Sequence, residues 1–191
     1  DAVRMALVVG NLPGNDIIIS EEKIRGYRNF ANKLWNIHRF VVTRRERTKD
    51  EGRKTKAKTA HYSSEDRKRL AELKKLVERT TSDLERFRFH HAAERIYHYA
   101  WHTFADRIIE SAKPRLASDD PDERAAAEAL LLTIHGTILK LLHPFMPFIT
   151  EALWQDLQEK REKRKAKRVT GEGLLMVEAW PPSGHSTALW K

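Results

Sequence analysis

Residues 21–43, EEKIRGYRNFANKLWNIHRFVVT, decide the fold. Ile24, Tyr27, Ala31, Leu34 and Val41 recur at the spacing of one helix face, and Trp35 and Phe40 widen the stripe. Asn29, Asn32, Lys33, Asn36 and Arg39 fill the other faces. Ser20 stands where a capping hydroxyl is wanted, and Glu21 and Glu22 face the positive end of the helix dipole. The pattern predicts a helix over 21–43 with Tyr27, Leu34 and Trp35 in the core.

Outward from this helix the chain repeats the theme. Asp1–Val9 reads as the last turns of an earlier helix, broken by the glycines and proline of 10–16. Ile17–Ile19 suits a short extended piece. Residues 44–62 show charge without periodicity and read as a flexible connection. A second helix starts near Ser64, with Leu70, Leu73, Val77, Leu84 and Phe87 as its buried stripe. A third carries Ala93, Tyr97, Ala100, Phe104 and Ile108 and closes at Lys113-Pro114 and Ser118–Pro121. A fourth spans about 122–142 and stops at His143-Pro144, and a fifth covers 147–157. Leu174–Trp180 reads as one strand bounded by Pro181-Pro182. The expected fold is all-α, a bundle of four to five helices with a short C-terminal strand or extended tail. The expected organisation is a connecting segment at 1–20, the helical domain at 21–157, and a basic linker with an extended tail at 158–191.

The formal charge of +9 is uneven. Residues 44–58 and 158–168 each carry a net +5, so the remainder is close to neutral. Local basic patches suit a polyanionic partner, although solubilising linkers have the same composition. The absence of cysteine excludes disulfides, a thiol nucleophile and thiolate metal sites. No apolar run reaches the roughly 18 residues of a membrane span, and the N-terminal residues do not read as a signal peptide. The expected location is the cytosol.

Catalytic patterns are missing. Gly10 to Gly14 lacks the Lys-Ser/Thr of a phosphate loop, and no Gly-x-Ser-x-Gly elbow occurs. His98 and His102 have metal-ligand spacing but lack a third ligand, so they are expected as helix-surface histidines. His143 is expected at a helix end, favourable to the dipole when charged. Glu65/Asp66 and Asp119/Asp120 read as solvated caps. No catalytic residue, cofactor or metal is expected within these residues. The mixture of rings, Asn and Arg along 27–39 is more suggestive. Single-stranded RNA loops are read by stacking on rings and hydrogen bonds to base edges, with phosphates held by Lys and Arg.

Long collinear motifs extend this reading. GNLPGNDIIISEEKIRGYRNFANKLWNIHRFV (10–41), FRFHHAAERIYHYAWHTFADRIIESAKPRL (87–116), LLHPFMPFITEALWQDL (141–157) and LLMVEAWP (174–181) resemble class I aminoacyl-tRNA synthetases of the valine, isoleucine and leucine group. The 13–17 and 26–36 stretches are most similar to its valine-specific branch. The resemblance covers nearly the whole chain outside the charged insertions. Ala152 departs from it, at a position where the group usually has Glu, and 44–58 is longer and more charged than usual. The resemblance implies a helical anticodon-binding domain, with tRNA (valine isoacceptors) and the catalytic domain of the same polypeptide as partners. It places ATP and Mg in that catalytic domain, whose signatures are absent here. The candidate RNA-binding residues are Asn29, Asn32, Lys33, Asn36, Arg39, Arg44, Arg45, Arg47, Arg88 and His91, with Lys33 and Arg39 expected on phosphates. An isoleucine- or leucine-specific origin is the nearest alternative, and a non-enzymatic basic helical scaffold for protein or RNA is the alternative of another class; the chain itself is expected to be monomeric.

Overall fold

A computed structural model describes residues 1–10, 14, 16, 18–50, 62–162 and 173–182, without the side chains of 44–50 and 159–162. The element order is α1 (Ala2–Val8), α2 (Glu21–Asp50), α3 (Ser64–Glu85), α4 (Phe89–His98), a π-helical segment (Tyr99–Ile109), α5 (Glu110–Leu116), α6 (Pro121–Leu142) and α7 (Pro147–Glu162). The run from α4 through α5 is one continuous rod. Among the described residues five long helical rods therefore pack as the expected all-α bundle, with α1 laid mainly against α2.

The capping chemistry explains where the helices begin. The Ser20 hydroxyl accepts from the Lys23 N–H at 3.1 Å, as expected. The second helix is capped by Ser63, one residue before the expected start, in a reciprocal box with Asp66. Asp66 is not the solvated group expected. It is buried, and Arg115 of α5 grips both carboxylate oxygens at 2.6 and 2.8 Å. Burial alone would raise its pKa, but the hydrogen bonds from Arg115 and Ser63 outweigh that and hold it below the usual carboxylate value. Asp120 caps α6 by accepting from the Asp122 N–H at 2.9 Å.

One core cluster runs through the bundle, from Met5 and Val9 through Phe30, Leu34, Val77, Ile96, Phe104, Ile134 and Leu141 to Leu153. α1 thus shares its core with the other helices. Contrary to the expectation that no stretch is apolar enough for a span, α6 is long and apolar enough by composition to cross a membrane. Its packing against α2, α3, α4, the π segment, α5 and α7 accounts for that apolarity. In the π segment the buried pairs Tyr99/Ala100, Phe104/Ala105 and Ile108/Ile109 recur at five and four residues, wider than the α-helical repeat.

Three further expectations about these elements need correction. α2 continues seven residues past Thr43 to Asp50, because Arg, Lys and Glu sustain a helix without an apolar stripe. Residues 51–61 lie outside the described residues. Leu174–Trp180 is not a strand: Leu175–Val177 form a 3₁₀ turn with extended flanks, and the backbone finds side-chain partners where, among the described residues, no second strand offers a ladder. The Leu175 N–H donates to Glu151 at 3.1 Å, while Trp154 Nε1–H donates to the Gly173 carbonyl at 3.0 Å. Phe87 leaves the stripe of α3, since the chain turns there at φ 58° and the ring is exposed. His143 caps the end of α6, as expected. Its Nδ1 meets Thr150 Oγ1 at 2.8 Å, and burial lowers its pKa, only partly opposed by Glu151.

A polar chain crosses the apolar core between α2, α6 and α7. His135 Nε2 lies 3.0 Å from His38 Nδ1, and His38 Nε2 lies 2.7 Å from Asp156 Oδ2. The carboxylate accepts from His38 Nε2–H, and His38 Nδ1 and His135 Nε2 share one proton between them. Burial, and then the neighbouring His38, lower the pKa of His135 to about 3. A histidine depressed in the folded state contributes stability above its unfolded pKa of about 6.5, and that stability is lost as pH falls. Between pH 7 and 5 the loss from His135 should be about 2 kcal/mol. Denaturant melts of wild type and His135→Leu at the two pH values measure it: the variant's loss over this interval should be smaller by about that amount.

Candidate nucleic-acid interface

α2 has two chemically distinct sides. Phe30, Leu34, Ile37 and Val41 are buried along one of them. Arg25, Arg28, Asn29, Asn32, Trp35, Asn36 and Arg39 are exposed along the other. Their spacings of three and four residues align them on one face over about four turns. Among the described residues, no hydrogen bond or ion pair occupies the side chains of Asn29, Asn32, Asn36 and Arg39. The face offers amide donors and acceptors, guanidinium forks and one large ring.

Trp35 is the residue whose role changes. It was expected in the core, yet it is 48% exposed while Phe30 and Leu34 take the buried positions. Tyr27 is half-buried, edge-on to Tyr97 with ring centroids 5.7 Å apart, and burial raises the pKa of both phenols. Phe30 completes this aromatic cluster at 4.8 Å from Tyr97 and 6.0 Å from Trp101.

The other sequence candidates are placed differently. Lys33 is engaged within the bundle, 3.1 Å from Asp106 Oδ1 and 5.4 Å from the centre of the Trp101 ring. It ties α2 to the π segment, so its charge is partly offset before any ligand arrives. Arg44, Arg45 and Arg47 fall in the last turns of α2, where side chains lie outside the description. Arg88 and His91 sit at the α3–α4 corner, on different elements from the α2 face. Arg88 holds the buried carboxylate of Asp83 at 2.7 Å, together with Arg95 at 2.9 Å. His91 is exposed, its ring 3.9 Å from that of His90. His98 and His102 are exposed, near Glu94 at 3.9 Å and Asp106 at 3.5 Å. Arg25 and Arg28 are exposed on the α2 face but did not stand out in the sequence. Their signal was available, since both fall outside the 30–34–37–41 progression.

A family of anticodon-binding domains of tRNA ligases matches residues 66–190 of the chain. The chain belongs to this family. Among its relatives, the valine–tRNA ligase of Carboxydothermus hydrogenoformans is 43% identical over 181 residues, 95% of this chain and 19% of that protein. That of Clostridium perfringens is 38% identical over 181 residues, again 95% and 19%. That of Symbiobacterium thermophilum is 41% identical over 158 residues, 82% of this chain and 17% of that protein. The chain thus spans about a fifth of the length of the curated relatives it matches. In this anticodon-binding domain α2 precedes the stretch matched by the family, but alignments covering 95% of the chain leave too few residues out to exclude it.

The two sides of α2 predict opposite responses to truncation. Phe30→Ala should cost about 3–5 kcal/mol in a denaturant melt, through lost burial and a residual cavity. Trp35→Ala should stay within about 1 kcal/mol of wild type, because half of the ring is already in water. A Trp35→Ala cost equal to that of Phe30→Ala would put Trp35 back in the core.

Proposed function

We propose that this chain recognises the anticodon stem-loop of valine tRNAs, as part of a valine–tRNA ligase that joins valine to its tRNA. The observation that carries the reading is the α2 face, on which Asn29, Asn32, Asn36 and Arg39 surround an exposed Trp35 with no partner taken up within the bundle. Similarity to valine–tRNA ligases over 95% of the chain supports the choice of valine.

In this reading unstacked anticodon bases lie against Trp35, and the Asn amides hydrogen-bond their edges. Arg25, Arg28 and Arg39 hold phosphates and add affinity without sequence preference. Arg44, Arg45 and Arg47, in the last turns of α2, add further phosphate contacts. Lys33 reaches a phosphate by exchanging Asp106 for it. Arg88 and His91 serve RNA beyond the α2 face. The ligation chemistry belongs to the catalytic part of the same polypeptide, where ATP and Mg activate valine. The domain's contribution there is positioning, since only a cognate anticodon lets the acceptor end reach the reacting groups. The site of action is the cytoplasm, and the chain acts as a monomer.

Substitution separates base readout from phosphate holding. Trp35→Ala and Asn32→Ala/Asn36→Ala should weaken binding of the valine stem-loop by roughly tenfold or more, at about 1–3 kcal/mol per lost base contact. Binding of a stem-loop with altered anticodon should change less. Arg25→Gln/Arg28→Gln/Arg39→Gln should weaken both RNAs alike and flatten the salt dependence. Fluorescence anisotropy at several salt concentrations reads all of these. Unchanged affinity across the set would remove α2 from the interface.

A further inference from the structure

A second basic surface lies away from the α2 face. Between α3 and the π-helical segment runs an open groove of about 500 Å³. Lys75, Arg79, Arg95 and Arg107 line it, against a single carboxylate, Glu72. Glu72 is drawn to Arg69 at 3.3 Å, and Arg95 is already committed to Asp83 at 2.9 Å. Among the described residues, Lys75, Arg79 and Arg107 have no ion-pair partner. Elsewhere in the bundle Arg115 is matched by Asp66 and Lys140 by Glu178. Three unmatched cations facing one groove repel one another, a cost that a multiply charged anion would reverse.

The neutral lining residue points the same way. Tyr99 is nine-tenths buried, and its hydroxyl has no hydrogen-bond partner. Burial raises the pKa of this phenol, so it stays a protonated donor. A buried donor left unmade is costly, and native structures rarely keep one without a use. Arg79 and Arg95 also line an adjoining space of about 260 Å³ that includes Arg88, whose Nε is likewise buried without a partner. Orphaned donors and unmatched cations therefore converge on one strip of surface, to which α2 contributes no residue.

We propose that this groove is a phosphate-binding site, in which Lys75, Arg79 and Arg107 hold adjacent phosphate groups and Tyr99 donates to one of their oxygens. Phosphates fit better than single carboxylates for two reasons. The guanidinium fork matches two phosphate oxygens at once, and three separated cations favour a ligand with several linked charges. The proposal does not rest on the α2 reading.

Inorganic tripolyphosphate is the probe. Titrated calorimetrically into the full chain at constant ionic strength, it should bind saturably at one site. Arg79→Gln/Arg107→Gln should weaken that binding by roughly tenfold or more, the scale of two charge-assisted contacts. Tyr99→Phe should weaken it by a smaller factor. Trp35→Ala/Asn36→Ala, on the α2 face, should leave it unchanged. Thermal melts establish that each variant is folded at the titration temperature, and the surface arginine pair keeps the test open should Tyr99→Phe unfold. Absence of saturable binding to the intact chain, or equal affinity in the arginine variant, overturns the site. A stem-loop RNA titrated with and without tripolyphosphate then identifies the source of the phosphates. Competition assigns the groove to the RNA backbone, and independent binding assigns it to a free polyphosphate. Loss of the groove's binding alone would leave the α2 reading standing, because that reading is measured by different variants.

Discussion

Burial of Phe30, Leu34, Ile37 and Val41 along one side of α2 is the constraint on which the account depends. A helix has one rotational setting, so fixing those four side chains in the core fixes every other position as well. Arg25, Asn29, Asn32, Asn36 and Arg39 face water because there is nowhere else for them to be. The exposed polar face of α2 is thus held by the same packing that stabilises the bundle. Such support from a rigid element, instead of a loop, keeps polar groups within the small tolerances that base recognition requires.

Polar ties add specificity to this packing. The His135–His38–Asp156 chain pins the rotation of α2 against α6 and α7, three residues beyond Trp35. Lys33 pins the same helix against the π segment through Asp106. The C-terminal segment crosses the bundle as a strap. Trp154 and Glu151 hold its start, Lys140 meets Glu178 at 3.1 Å, and Trp180 Nε1–H reaches Thr81 of α3 at 2.9 Å. Each of these ties joins elements far apart in sequence.

That separation explains what could be read in advance. The helices were legible because stripes such as Leu70–Leu73–Val77 and Ile134–Ile138–Leu141 follow from local periodicity. Trp35 was misplaced because its size argues for burial, whereas its register, one step past Leu34, argues for exposure; register prevails. The strand at 174–180 was misread for a related reason. A short apolar run carries no information about whether a second strand exists to pair with it. His38 and His135 are 97 positions apart, and no spacing rule joins them. Asp66 looked like an ordinary cap because its partner Arg115 lies 49 residues away. Of the candidate site, Asn29, Asn32, Asn36 and Arg39 were legible from polarity on a helix, while the engagement of Lys33 by Asp106 and of Arg88 by Asp83 needed the fold.

The most direct test of the central claim is the affinity of this chain for a valine tRNA anticodon stem-loop and for the same stem-loop with a changed anticodon. Measured at about 50 and 200 mM salt, phosphate contacts weaken together in both RNAs, whereas base contacts do not. The account predicts a preference for the native anticodon that persists at the higher salt while both affinities fall. Equal affinity for the two RNAs at both salt concentrations would contradict it, leaving the α2 face as a holder of RNA backbone and not a reader of the anticodon.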